Sequence, residues 1–287
     1  MGVAVLTDSV ACLSPETRSR LGIGMVGICI ILDGTAYRES IDLTAEEFYA
    51  RMGETISHQT ASPSVGDWLE VMREAVDAGA DGLLVVTLAA VLSSTYDSAR
   101  AAAELASVPA VVVDSHSAAA AQGLLVRRLA EEARDGATLE QLVERAERRR
   151  GSYHLEFVLQ GLQRLAHSGR MPTAMARLGD AVDLKPMLTL APRGEVRPTG
   201  AVRGIERGVE RIRHRVLQAF PPATPGRVVV THALLDADAR ELAQQLRVDR
   251  PDLEVDIAIF SPVMGASTGP ILGVAWEDPA LMSEGGG

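Results

Sequence analysis

Apolar and polar positions along this chain fall into blocks that switch between the strand period and the helix period. Residues 3–6 are a short apolar run and predict a buried strand. Ser14-Pro15-Glu16 then opens a helix, with serine as the cap, proline in the first turn and glutamate at the positive end of the dipole. Residues 23–32 are apolar without a helical period, which predicts one strand closed by a turn at Asp33-Gly34. Thr44-Ala45-Glu46-Glu47 is a capping box, and Ser64-Val65-Gly66-Asp67 caps a helix over residues 68–78. Residues 82–87 and 108–113 are continuous apolar runs, as central parallel strands require, with an Ala-rich helix over 94–106 between them. Residues 122–133 form an amphipathic helix with Glu131 and Glu132 outside, and Thr138-Leu139-Glu140-Gln141 caps another that runs to residue 150.

The pattern shifts after Gly151. Residues 153–159 predict a strand, and 162–166 a short helix ending at Ser168-Gly169; 171–180 are weakly patterned. Residues 187–190 and 195–202 flank Pro192-Arg193-Gly194 and read as a hairpin. An Arg-rich helix over 205–219 stops at Pro221-Pro222. Residues 227–231, a helix to 246, and 255–260 make a βαβ unit, and an apolar strand runs from Pro270 to Trp276. The expected fold class is α/β: two α/β domains with mostly parallel sheets, residues 1–165 and 166–287, and a ligand cleft between them.

Composition narrows the function. At 287 residues with 47% hydrophobic and 23% charged positions, the chain can bury a substantial core. A net charge of -10 argues against a nucleic-acid footprint, and 3% aromatics argues against base-stacking platforms. Cys12 and Cys29 sit in or beside apolar stretches and read as buried thiols rather than a disulfide framework. No basic segment precedes the first strand, Asp8 comes too early for a signal sequence, and the longest apolar run spans about ten residues where a membrane span needs about 20. The expectation is a cytoplasmic protein without an integral membrane segment.

Five hydroxyl-rich turns follow apolar stretches: Thr7-Asp8-Ser9, Thr60-Ala61-Ser62-Pro63-Ser64, Ser93-Ser94-Thr95, Asp114-Ser115-His116-Ser117 and Ser267-Thr268. Loops leaving the carboxyl ends of strands in an open α/β sheet converge on one crevice. Neutral hydroxyls and helix N-termini there suit a small anionic head group, although each turn taken singly also reads as ordinary helix capping.

Two other patterns carry less. Gly22-Ile23-Gly24-Met25-Val26-Gly27 matches a dinucleotide fingerprint but opens a strand, not a helix. Gly265-Ala266-Ser267-Thr268-Gly269 matches a nucleophile elbow, but Pro270 interrupts the required helix and no histidine follows. A serine hydrolase using Ser267, with His232 brought near by the fold, is the rival reading. No histidine pair has metal-ligand spacing, and no cofactor is expected.

These residues together resemble the DegV family of bacterial fatty-acid-binding proteins. The matching pieces run in order along nearly the whole chain. They include Thr7-Asp8-Ser9, Asp33-Gly34 with Tyr37-Arg38, Thr60-Ala61-Ser62-Pro63-Ser64, Leu92-Ser93-Ser94-Thr95-Tyr96, Ser168-Gly169-Arg170, Lys185-Pro186 and Gly265-Ala266-Ser267-Thr268-Gly269-Pro270. The resemblance implies one long-chain fatty acid bound between two α/β domains. Its carboxylate is held by the threonine and serine that fall on Thr60 and Ser93, and its tail lies in an apolar tunnel. It further implies Ser62, Ser94 and Ser267 near the head group and Arg170 near the mouth. Some members present the acid to an ATP-dependent fatty acid kinase, acting as carriers without catalytic residues of their own. This chain departs from the pattern at Ser267, where the family commonly has histidine, and at Ala61, Ala89, Ala90, Ser94 and Ala119. Those departures favour simple carboxylate binding, or another amphiphilic acid, over kinase coupling.

Overall fold

The computed structural model of the protein describes residues 2–52, 57–162, 164–165, 168–169 and 184–280. Its first sheet is parallel throughout. Strand β1 (Gly2–Asp8) lies between β2 (Gly24–Val26) and β6 (Ala80–Thr87), and β7 (Ala110–Asp114) closes the order β2-β1-β6-β7. A small antiparallel sheet, β4-β3-β5, is formed by β3 (Cys29–Leu32), β4 (Thr35–Arg38) and β5 (His58–Ala61).

The single strand expected over residues 23–32 is therefore two. Gly27 and Ile28 separate β2 from β3, and the chain changes sheets there. The crossing is close: a Cβ on Gly27 would stand 2.7 Å from the Glu39 carbonyl oxygen. The Glu39 amide also donates to the Ile28 carbonyl (3.0 Å). An apolar run records burial, and burial continues through a change of sheet.

The helices follow the capping signals. Ser14 caps α1 (Pro15–Leu21), and capping boxes open α2 (Ala45–Arg51), α3 (Val65–Asp77) and α6 (Leu139–Arg149) at Thr44, Ser64 and Thr138. Helix α4 (Thr95–Ala103) packs on β7. Helix α5 (Ala119–Arg134) joins the two halves of the molecule, packing on β1 and on strands of the second large sheet. Its residues from Ala119 to Val126 are all buried, so it is enclosed on every side for two turns and amphipathic only afterwards. Beyond them, Glu131 pairs with Arg127 and Arg227, and Glu132 with Arg145 and Arg149.

The second large sheet has six strands, ordered β10-β9-β8-β13-β11-β12. These are β8 (Tyr153–Leu159), β9 (Leu184–Leu190), β10 (Val196–Arg203), β11 (Gly226–Ala233), β12 (Leu253–Ile259) and β13 (Ile271–Glu277). Its flanking helices are α7 (Ile205–Ala219) and α8 (Asp236–Asp249), and α9 (Pro262–Thr268) precedes β13. The α/β class holds, but only β11 and β12 pair in parallel in this sheet; its other pairs are antiparallel. Strands β8 and β13 contact α5 and α7, and a strand buried on both faces carries the continuous apolar run that also marks a parallel strand. Strand β8 lies inside this sheet, so the expected division near residue 165 falls after its first strand.

Candidate functional site

The five hydroxyl turns divide into scaffold and cavity. Thr7, Asp8 and Ser9 are buried. Thr7 Oγ1 donates to the Val86 carbonyl (2.8 Å), and Asp8 accepts the amides of Val10 (3.1 Å) and Leu88 (2.8 Å). Gln122 Nε2, from α5, donates to both Thr7 Oγ1 (3.1 Å) and Asp8 Oδ2 (3.2 Å). Asp114 accepts the amides of His116 (2.9 Å) and Ala90 (3.2 Å), and Ser115 Oγ accepts that of Ser117 (3.1 Å). The Asp114 turn thus satisfies backbone amides, in the manner of a cap, while the Thr7 turn ties β1 to the end of β6 and to α5.

The other three turns meet at one cavity between the small sheet, the first sheet and the six-stranded sheet. Its empty space is roughly 940 Å³ with the open solvent at its mouth included. Thr60, Ser62, Ser93, Ser168, Ser267 and Thr268 are its polar lining, and no charged side chain lines it among the described residues. One wall is a buried cluster of Val10, Ile28, Leu88 and Ala118, extended by Val263 and Met264. The opposite wall is Phe157, Leu159, Leu165, Leu188, Phe260 and Ile271. Two of the four phenylalanines of the chain thus join the aliphatic walls, where Phe157 and Phe260 meet edge to face with centroids 5.8 Å apart.

At the polar side, Ser62 and Ser93 are linked through their hydroxyls at 3.0 Å. Ser94 Oγ donates to Ser62 Oγ (3.0 Å), and Ser93 Oγ lies 2.8 Å from Thr95 Oγ1 and accepts the Thr95 amide (3.3 Å). Ser94 occupies the N-cap of α4 but makes no capping hydrogen bond, because its hydroxyl is turned to Ser62. Thr60, on β5, and Ser267, in the last turn of α9, both face the cavity. Among the described residues, neither hydroxyl has a hydrogen-bond partner there.

Of the residues expected from sequence, Thr60, Ser62, Ser93 and Ser267 line the cavity, and Ser94 is one hydroxyl removed from it. Arg170 lies outside the described residues. Thr268 lines the cavity as part of the Ser267-Thr268 turn that the sequence indicated, whereas sequence reasoning did not single out Ser168, Val10, Val263 or Met264 as lining residues. The available signal was adjacency: each stands within three residues of a recognised segment.

Beneath the cavity lie two buried acids with no cationic partner among the described residues. Burial pushes the Asp8 carboxyl up to about 6 against hydrogen bonds from Leu88, Gln122, Val10 and its own backbone that pull it down. Burial likewise raises Glu39 to about 7, with Ser9, Ser261 and the Val263 amide donating to its carboxylate. Tyr49 donates its hydroxyl to the Phe260 carbonyl (2.8 Å) and fixes the corner that leads into α9.

The hydrolase geometry is not formed. Ser267 lies in the last turn of a seven-residue helix instead of at a strand-to-helix turn. His232 does not line the cavity; its Nε2 is 3.5 Å from Asp236. Among the described residues, no group of three potential metal ligands forms, and no helix is long and apolar enough to cross a membrane.

This architecture has relatives. A family model described as "Uncharacterised protein, DegV family" matches residues 2–278, and the chain belongs to the DegV family. A DegV domain-containing protein of Streptomyces coelicolor is 32% identical over 274 residues, covering 95% of this chain and 97% of its own. Protein DegV of Bacillus subtilis is 27% identical over 280 residues, covering 96% and 99%. Among solved structures, a DegV family protein from Thermus thermophilus, described for its fatty acid binding, matches with a TM-score of 0.87 at 29% identity, over 97% of this chain and 100% of its own. DegV of Bacillus subtilis, described as a fatty acid binding protein, matches with a TM-score of 0.87 at 25% identity, over 97% and 99%.

Proposed function

We propose that this protein binds one long-chain fatty acid in the cavity, its carboxylate held by Thr60 and Ser93 with help from Ser62 and Ser267, and its tail laid between the apolar walls. The observation that carries the reading is the lining itself: hydroxyls on one side, hydrocarbon elsewhere, and unpartnered hydroxyls at Thr60 and Ser267. Hydroxyl donors and the first-turn amides of α4 stabilise a carboxylate without a buried cation. Each buried methylene adds about 0.8 kcal/mol, so the tail dominates affinity. The fatty-acid-binding relatives from Thermus thermophilus and Bacillus subtilis support the same ligand class.

The test is mass spectrometry of the purified protein, native and then denatured. A bound species of fatty-acid mass that is lost on denaturation is expected. A protein that is empty and takes up neither oleate nor palmitate rejects the reading.

A finer role, presentation of the bound acid to an ATP-dependent kinase, is supported by the family resemblance. Its test is acyl-phosphate formation when the loaded protein is mixed with candidate kinases of the same genome. No product with any of them rejects that role and leaves the binding reading intact.

A further inference from the structure

Glu39 stands behind one wall of the cavity, where three segments that build that wall meet. It follows β4, in the small sheet, and is 1% exposed. Its Oε2 accepts the hydroxyl of Ser9 (2.9 Å), which sits at the end of β1 and next to the wall residue Val10. The same oxygen accepts the hydroxyl of Ser261 (3.1 Å), which leads into α9 and the wall residues Val263 and Met264. Ser9 Oγ in turn accepts the amide of Ile28, another wall residue (3.1 Å). One carboxylate therefore ties together three segments, each from a different sheet or its outgoing loop. The titratable groups that face it are Asp8 from β1, Cys12 directly after the 3-10 turn Ser9–Ala11, and Tyr49 from α2; all are acids, and none supplies a positive charge.

We propose that Glu39 is a positioning residue that holds together the three segments forming one wall of the cavity, and that binding of a fatty acid anion is coupled to uptake of a solvent proton by its carboxylate. The inference rests on the fatty-acid reading given above. An anionic head group adds a like charge, and the hydrocarbon tail removes water from the walls. Both disfavour a second ionised carboxylate behind the wall. The bound state accordingly favours neutral Glu39, and by reciprocity a protonated Glu39 favours the bound state. In the empty protein burial already brings this carboxyl to about 7, so the coupling falls in an accessible pH range. Glutamine can replace the neutral form. Its amide oxygen takes the Val263 amide, and its NH₂ donates to Ser9 and Ser261, whose hydroxyls rotate to accept.

The experiment is calorimetric titration of the full chain with submicellar oleate, in phosphate and in Tris, at several pH values. The wild type is expected to take up a fraction of a proton on binding and to bind about threefold or more tighter at pH 6.5 than at pH 8.5. Glu39→Gln is expected to bind oleate with no buffer-dependent heat and a flattened pH profile. Ser261→Ala, which removes one tie and keeps the titrating group, is expected to weaken binding while keeping the profile. Proton uptake by Glu39→Gln equal to that of the wild type overturns the proposal, as does the absence of uptake in the wild type. Loss of affinity in Glu39→Gln with an unaltered profile also overturns it, because a purely structural role predicts that result. Failure of the wild type to bind oleate overturns both the inference and the reading beneath it.

Discussion

Ser62 and Ser93 share a hydroxyl–hydroxyl hydrogen bond of 3.0 Å across the gap between the end of β5 and the start of α4, although 31 residues separate them in the chain. The bond joins the small sheet to the first large sheet at the polar side of the cavity. With Ser94 donating to Ser62, the Ser62–Ser93 bond uses the hydrogen of one of these two hydroxyls and leaves the other to turn toward a bound acceptor.

That arrangement predicts a graded loss of ligand. A hydrogen bond to a charged group contributes about 1.5–3 kcal/mol, so Thr60→Ala or Ser93→Ala should each weaken fatty-acid binding about tenfold or more, and the double variant about a hundredfold or more. Ser94→Ala, one hydroxyl removed from the lining, should lose less. Titration with a fluorescent fatty acid measures each step. Equal affinity in the double variant and the wild type would remove the head-group assignment.

The hairpin between β9 and β10 also shapes the cavity, since Leu190 and Val196 line it from either side of the turn. At the tip, Gly194 has φ +93°, and a Cβ there would overlap the Ala89 side chain. Gly194→Ala should combine a backbone penalty of about 1–2 kcal/mol with displacement of the hairpin from the loop that carries Ala89. Urea unfolding should show the loss of stability, and oleate affinity should fall with it. An unchanged midpoint would mean that the tip packs elsewhere in solution.

The buried acids give stability a defined pH dependence. The Asp8 carboxyl rises from 3.8 to about 6 and the Glu39 carboxyl from 4.5 to about 7, both through burial. The folded state thus holds these protons more tightly than the unfolded chain. Their stabilising contribution is fully present below about pH 4 and is lost as pH rises through 6 and 7. Urea unfolding of the empty protein at pH 5 and pH 8 should show a smaller loss with rising pH in Glu39→Gln than in the wild type. Parallel losses in the two proteins would contradict the raised value at Glu39.

Much of the site was legible because capping has local chemistry. Ser14, Thr44, Ser64 and Thr138 cap the helices that their spacing announced. The same chemistry misled at Thr7-Asp8-Ser9 and Asp114-Ser115-His116-Ser117, which resemble the lining turns in sequence but spend their polar groups on backbone and buried side chains of the scaffold. Ser267 was recognised as a hydroxyl in a glycine-bounded segment, yet it stands in a helix, since Pro262 starts a turn that the glycines only end.

The order of strands and helices, the capped helix starts, the acidic surface and the residue types of the cavity were determined by the chain itself, because periodicity, capping and composition are local properties. The tertiary structure decided which hydroxyl turns face the cavity, split the apolar run at Gly27 between two sheets, and set the largely antiparallel sense of the six-stranded sheet. It also brought Ser9, Glu39 and Ser261 onto one buried carboxylate. Those features depend on contacts between residues up to 222 positions apart, and a one-dimensional pattern carries burial but not the identity of the neighbour that supplies it.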